Sequence, residues 1–388
     1  MKKDTRMFID IIKSGLTDEK IILSSSELNY DMLLKNCIKH HIIVMFYYGL
    51  YNCGLNVDDL KEKIFNLVMS EINIDMRQQH YIEEIRKLFT DNNIDFMLLK
   101  GSVMKGLYKK SELRRMGDID ILIRNEQYLR ICELMIKAGY KPCGETDHEL
   151  NWTKAGILIE LHKRLIPSYN KDFYSYYGDG WKLAKHKAEN EYVLKTEDMF
   201  IYLFTHFAKH YRDAGIGITH MCDLWVYMSS YKLDYSYIKK ELEKLHLFKF
   251  FENINDTLLV WFENKEDTEM TDYITNVILN SGVYGTHDNH VLSAALKNKK
   301  KYNNTKVEKI VKIFKSFFPP FSIMRNRHII LFKYPFLLPF FWIVRWFDLS
   351  FRKKDRIRNK INDFSMINDT NISDYHLQLE YVGLDYNF

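Results

Sequence analysis

Two aspartates separated by a single isoleucine, Asp118 and Asp120 in RRMGDIDILI (114–123), are the residues of this chain whose spacing most directly suggests chemistry. On a strand, alternate side chains share a face, so the two carboxylates point the same way while Ile119 and Ile121 point the other. Like charges that close raise each other's pKa unless something positive lies between them. Oxygen-only donors make that partner Mg²⁺ or Mn²⁺. GILIELH (156–162) contributes a third acid: Glu160 alternates away from Ile157, Ile159 and Leu161, and His162 shares its face. A strand carrying Glu160 antiparallel beside the first would bring three carboxylates together, a set able to hold two metal ions for in-line phosphoryl or nucleotidyl displacement.

The remaining need is a phosphate cradle, which LLKGSVMKG (98–106) supplies. Gly101 lets the backbone approach a phosphate, the start of the next helix favours an anion, and the Ser102 hydroxyl can donate. Lys100 and Arg114 are the cations available to a triphosphate, and Gly117 opens the Asp118 turn. His206 and His210 in HFAKH share one helical face at a zinc-compatible spacing; no third ligand accompanies them, and the pair reads as lining a cleft. Asp223, in a mostly apolar helical stretch, reads as a buried acid with a salt-bridge partner.

These groups need rigid elements to hold them. Residues 1–87 read as an N-terminal helical region, with apolar positions three and four apart in DMLLKNCIKHHIIVMFYYGLY and DMRQQHYIEEIRKLFTDN. Residues 88–190 read as the core: a strand at IDFMLLK, a second at 118–124, an amphipathic helix from an Asn125 N-cap to a Gly139 stop, and a hairpin turning at KAG. An inserted turn near 109–112 lengthens the path from Gly101 to Asp118. Residues 191–388 read as a C-terminal helical region, its first helix opening at Thr196 with Glu197 and Asp198 in the first turn. The fold class is α+β, a small mixed sheet with flanking helices between two helical regions. The basic run 297–309 reads as a flexible surface connection, and the aromatics of YNKDFYSYYGDGW (169–181) read as surface packing.

Bulk composition narrows the function classes. With 388 residues and 46% apolar content the chain can bury a large core. A net charge of +5 is too mild for a nucleic-acid binder on charge alone. Five scattered cysteines without a CxxC pair fit a reduced, cytoplasmic protein. IILFKYPFLLPFFWIVRWF (329–347) is interrupted by Lys333, Pro335, Pro339 and Arg345, so it reads as a buried C-terminal element, with peripheral membrane contact the minority reading.

The Gly-Ser turn, the Gly-Asp-x-Asp strand and the later strand acid together resemble the DNA polymerase β-type nucleotidyltransferase superfamily. Within it, LLKGSVMKGLY, LRRMGDIDILI and IELHKRL resemble the bacterial family usually described as uncharacterised nucleotidyltransferase, at Lys100, Gly101, Arg114, Gly117, Asp118, Asp120, Glu160 and His162. The aromatic C-terminal stretch is also similar. The resemblance implies a metal-dependent enzyme that moves an NMP from an NTP to an acceptor hydroxyl or phosphate and releases pyrophosphate. Asp118, Asp120 and Glu160 would be catalytic and metal-binding, and Lys100, Gly101, Ser102, Arg114 and Gly117 nucleotide-binding. His162, His206, His210 and Asp223 would be cleft residues, a helical Asp occurring at a comparable place in that family. The acceptor stays open among small molecule, sugar, peptide and protein. The alternative is a non-catalytic nucleotide- or partner-binding module that keeps the fold; three mutually repelling acids argue against it.

Overall fold

The computed structural model describes residues 1–23, 29–55, 61–302, 318–321, 324, 328, 330–352, 362–363 and 365–384. The described residues divide into two compact units. The first comprises Met1–Tyr211, Gly215–Tyr284 and the described part of Val382–Phe388; the second comprises Arg212–Ala214 and Gly285–Tyr381.

The first unit opens with helices α1 (Lys3–Thr17), α2 (Tyr30–Lys39), α3 (Ile43–Asn52) and the long α4 (Lys61–Asp91). The single helix expected over 31–51 is two, because His41 takes a left-handed φ of 56° and breaks the run. Next come β1 (Phe96–Leu98), the one-turn helix α5 (Lys100–Met104), β2 (Ile119–Ile123), α6 (Tyr128–Lys137), β3 (Lys141–Glu145), β4 (Glu149–Lys154) and β5 (Ile157–His162). The series continues with α7 (Lys171–Tyr177), β6 (Ala184–Ala188), β7 (Glu191–Leu194), α8 (Thr196–Asp213), α9 (Ile218–Ser230), α10 (Tyr235–Lys244), α11 (Phe248–Phe262) and α12 (Glu269–Ser281). α10 and α11 are separated where His246 turns left-handed at φ 55°.

The strands form one seven-stranded mixed sheet in the order β3-β4-β5-β2-β1-β7-β6. β1 pairs antiparallel with β2 and parallel with β7. β2 and β5 lie parallel, correcting the antiparallel arrangement expected from sequence, and their register sets Asp120 opposite Glu160. In a parallel ladder that pairing keeps both acids on one face as well as an antiparallel one would. The β4–β5 hairpin turns at Ala155 and Gly156, both at positive φ, the conformation two-residue hairpin turns require.

One face of the sheet is apolar. Phe96, Leu98, Ile119, Ile121, Ile123, Ile159 and Leu161 pack with Ile82, Ile85 and Phe89 of α4 and Ile131 and Met135 of α6. Each such side chain contributes roughly 1.5–3 kcal/mol by leaving water. The opposite face carries the acids, and the apolar face fixes which way they point. α4 also presents a polar edge to the 105–116 connection: Lys105 and Ser111 bond Asp75, Arg115 bonds Glu71, and Gln78 donates to the Met116 carbonyl at 2.9 Å. That connection contains two short 3₁₀ turns, Lys105–Leu107 and Ser111–Leu113, which absorb the extra length between Gly101 and Asp118.

Three strands escape the sequence reading: β3, β6 and β7. Residues 141–145 are exposed throughout and carry no alternation. Asn125 makes no cap; it begins a 3₁₀ turn ahead of α6, while Gly139, at φ 85°, does close that helix. The aromatics of 169–181 are not mere surface packing, since Phe173 and Tyr177 are buried and the Tyr177 hydroxyl meets Thr205 Oγ1 at 2.8 Å.

In the second unit α13 (His287–Tyr302) packs with α15 (Asp369–Tyr381) around Ala295 and Ile372. Residues 297–302 therefore belong to a helix rather than to a flexible connection; 303–309 lie outside the described residues. Between these helices in sequence lies α14 (Leu338–Arg352). The buried element expected at 329–347 is not fully buried: Phe336, Phe340 and Phe347 are 75%, 58% and 63% exposed. Of the basic run 351–360, residues 353–360 lie outside the described residues. Among the described residues no helix is long and apolar enough to cross a membrane.

Candidate active site

Asp120 is the buried centre of the site. It stands on β2, 4% exposed, and its Oδ1 accepts from Lys100 Nζ at 2.7 Å and meets His162 Nε2 at 2.6 Å. Burial alone would raise its pKa, but the Lys100 ammonium and the His162 hydrogen bond hold the carboxyl below its usual range. Lys100 reaches it because the Leu99 N–H bonds the Asp120 carbonyl at 3.0 Å and Lys100 itself adopts a left-handed φ of 42°. Burial acts against the lysine's charge, but Asp120, Tyr202 and Asp118 together more than offset it and raise the lysine's pKa.

The neighbouring acids respond the other way. Asp118 sits one residue before β2; burial and then the Asp120 charge push its pKa up to about 6. Burial, followed by Asp118, Asp120 and Glu149, pushes Glu160 up to about 8. Ligand atoms of Asp120, Glu160 and His162 lie within 4.8 Å of one another. Asp118 stands outside that set of three, although its charge reaches Glu160. This donor set fits a divalent cation: two carboxylate oxygens are hard ligands, a ring nitrogen tilts the preference from Mg²⁺ towards Mn²⁺, and two crowded acids have raised pKa values that a bound cation would relieve. His162 is kept neutral by burial and by Lys100, and its Nδ1 is buried without a hydrogen-bond partner.

Around the turn after β1, the Ser102 hydroxyl is also buried and unpartnered, whereas the Ser102 N–H is engaged with the Leu99 carbonyl at 3.1 Å. α5 is a single turn of five residues, too short for the helix-terminal anion effect expected from sequence. The glycine at 101 has a different requirement from phosphate approach: a Cβ there would lie 2.8 Å from Met116 Sδ. A Cβ at Gly117 would meet nothing. Arg114 donates from Nε to both Asp223 oxygens, at 2.7 and 3.0 Å, and from Nη1 to the Arg115 carbonyl. Its Nη2 lies 3.7 Å from the Cβ position of Gly101, so the guanidinium faces the turn. Asp223 additionally accepts from the Tyr108 hydroxyl at 2.7 Å and is the partnered buried acid that its apolar setting implies.

α8 and α9 supply polar groups beside the acids. Tyr202 and His206 rings are 6.4 Å apart, His206 and His210 rings 4.3 Å, and His210 and His220 rings 6.2 Å. The Nε2 atoms of His206 and His210 are 3.1 Å apart, so one ring donates and the other accepts. Burial is the main cause keeping both rings neutral, with the Lys100 charge adding to it.

Glu149, Tyr202 and His220 are the site groups that sequence reasoning missed. Glu149 pairs with His162 across the hairpin, and the two-residue turn at 155–156 fixes that register, so counting back from the turn would have found it. Tyr202 lies four residues before His206, on the same helical face. Nothing in the sequence ties His220 to this group.

A sequence-family model described as uncharacterised nucleotidyltransferase matches residues 26–262, a span that contains every site group named above. No curated protein and no solved structure matches.

Proposed function

From the premise that this chain belongs to the uncharacterised nucleotidyltransferase family, we propose that it moves an NMP from an NTP to an acceptor hydroxyl or phosphate, releasing pyrophosphate. The observation that carries this reading is Asp120 and Glu160 side by side on the parallel β2–β5 ladder, with Asp118 close enough to raise Glu160's pKa. Asp120 and Glu160, with the His162 ring beside them and Asp118 drawn in from the edge of the group, would hold the divalent cation, Mg²⁺ or Mn²⁺, which would supply charge neutralisation at the phosphates. His162 orients the Asp120 carboxylate through its Nε2. Ser102 Oγ donates to a phosphate oxygen, and Arg114 Nη2 offers charge from the far side of the turn. Were a cation held by these acids, Lys100 would be free to turn from Asp120 to the phosphates. In the transfer, the acceptor oxygen bonds the α-phosphorus, the bond to pyrophosphate breaks, and Glu160 takes the acceptor's proton.

The test is calorimetric binding of a non-hydrolysable NTP with Mn²⁺, together with release of pyrophosphate from NTP. Saturable binding that disappears in Asp118→Asn supports the reading. Binding that persists unchanged in Asp118→Asn and Glu160→Gln overturns the metal assignment. Binding without pyrophosphate release against any acceptor fraction favours the non-catalytic module.

A further inference from the structure

Buried polar atoms without partners are rare, because each forfeits a hydrogen bond that water would have made. Four of them gather at this one site. Ser102 Oγ and His162 Nδ1 lie on the sheet side, and Tyr202 Oη and His220 Nδ1 lie on the helical side. The first two belong with the nucleotide and the acids. The other two, with His206 and His210, form a separate wall on α8 and α9. Tyr202, His206 and His210 recur every fourth residue along α8, and ring contacts extend the row to His220. The row lies within electrostatic reach of the acids: the charges of Lys100 and Asp120 are both felt at Tyr202 and at His210.

We propose that Tyr202, His206, His210 and His220 form the acceptor subsite and that it takes an uncharged, hydroxyl-rich acceptor, a sugar or polyol. This rests on the nucleotidyl-transfer reading and narrows it. A phosphate monoester needs a cation beyond those the nucleotide would use, and none nearby is spare: Lys100 and Arg114 are committed to Asp120, Asp223 and the triphosphate, and Arg115 is paired with Glu71. Lys209, whose charge reaches the histidine pair, has a partner of its own. A polyamine needs a carboxylate that the cation does not take, and beside this wall Asp223 is spent on Arg114 and Tyr108, while Asp118 and Glu160 belong to the cation in this reading. What remains is a phenol and neutral imidazoles, each able both to donate and to accept. Hydroxyl groups have the same dual character, and the unpartnered Tyr202 and His220 atoms are the ones they would complete.

The full chain is incubated with Mg²⁺ and α-labelled NTPs against three probes: a mixture of methyl glucoside, methyl galactoside and glycerol; phenyl phosphate; and spermidine. Label is expected on the neutral hydroxyl mixture alone. His206→Ala and His210→Gln should each raise the KM for that mixture on the order of tenfold, the worth of one buried hydrogen bond. The Kd for a non-hydrolysable NTP with Mn²⁺ should stay within about twofold, since one bond on the other side of the site is untouched. Tyr202→Phe, which keeps the ring packed, is the third variant should either histidine change fail to fold. Transfer to phenyl phosphate or spermidine overturns the assignment. So does the absence of any neutral product from a chain that binds Mn²⁺–NTP, or an equal change in nucleotide Kd in the variants. A chain that binds no nucleotide sinks the nucleotidyl-transfer reading, and this subsite with it.

Discussion

Asp118 and Asp120 differ by one residue and live in opposite electrostatic states. Asp120 is paired with Lys100 and His162, so Asp120→Asn leaves a nearly buried ammonium without its counter-ion. The expected cost is on the order of 3 kcal/mol, read as a lower melting temperature. Asp118 has no such partner and its pKa is already raised to about 6 by burial and by its neighbour. Asp118→Asn should therefore leave the melting temperature nearly unchanged while abolishing Mn²⁺–NTP binding by calorimetry, which makes it the cleaner test of metal binding. Glu160 adds a pH signature. Its carboxyl titrates near 8 in the folded chain against an ordinary value of 4.5, so the folded state holds a proton that the unfolded state has released. The contribution is fully present below about pH 4.5 and is lost as pH rises through 8. Asp120, shifted down, contributes nothing to that window, because its stabilisation is lost only in acid below its ordinary 3.8. Without metal, the wild-type chain should lose stability relative to Glu160→Gln as pH rises from about 5 to 8, and Mg²⁺ should reduce the difference by favouring the ionised carboxylate. A difference independent of pH would mean that neither burial nor the neighbouring acids hold the Glu160 proton.

The turn after β1 shows how an element sets what its residues can do. Gly101 is held open by Met116, which hangs from a connection that α4 anchors through Gln78. Gly101→Ala should cost about 1–3 kcal/mol through overpacking. Because the obstructing atoms are Met116's own, the double variant with Met116→Ala should cost less than the sum of the two single changes. Strict additivity in thermal melts would show that the glycine answers to something else. The same α4 edge, through Glu71, Asp75 and Gln78, holds the residues that lead into Asp118. The position of the first acid is thus a property of a long helix remote from it in sequence.

At the scale of the molecule, every site group falls within the first compact unit, on its sheet, on α5 and the connection from it to β2, and on α8 and α9. A ligand bound there stabilises that unit by mass action. Mg²⁺ with a non-hydrolysable NTP at a hundred times its Kd should add roughly 2.7 kcal/mol. In a melt resolved into two transitions, that shift should appear in the one assigned to the first unit. A shift confined to the other transition would place the nucleotide elsewhere.

Much of this was legible in the chain itself, because strand alternation is local. The one-residue spacing of Asp118 and Asp120, and of Glu160 and His162, puts each pair on one face whatever the partner strand does, and apolar alternation decides which face meets the core. Periodicity likewise carried the α+β class, and the three quoted motifs carried the family resemblance. Direction was not legible: β5 runs parallel to β2, because strand pairing is settled by chain crossovers and by what covers each face rather than by the strands' own residues. Nor could the sequence foresee that Lys100 would turn onto Asp120, that Arg114 would be held by Asp223 over a hundred residues away, or that His220 would stand beside His210. The first depends on the left-handed turn that follows β1 and the other two on the packing of α9, and a one-dimensional pattern carries no signal for either.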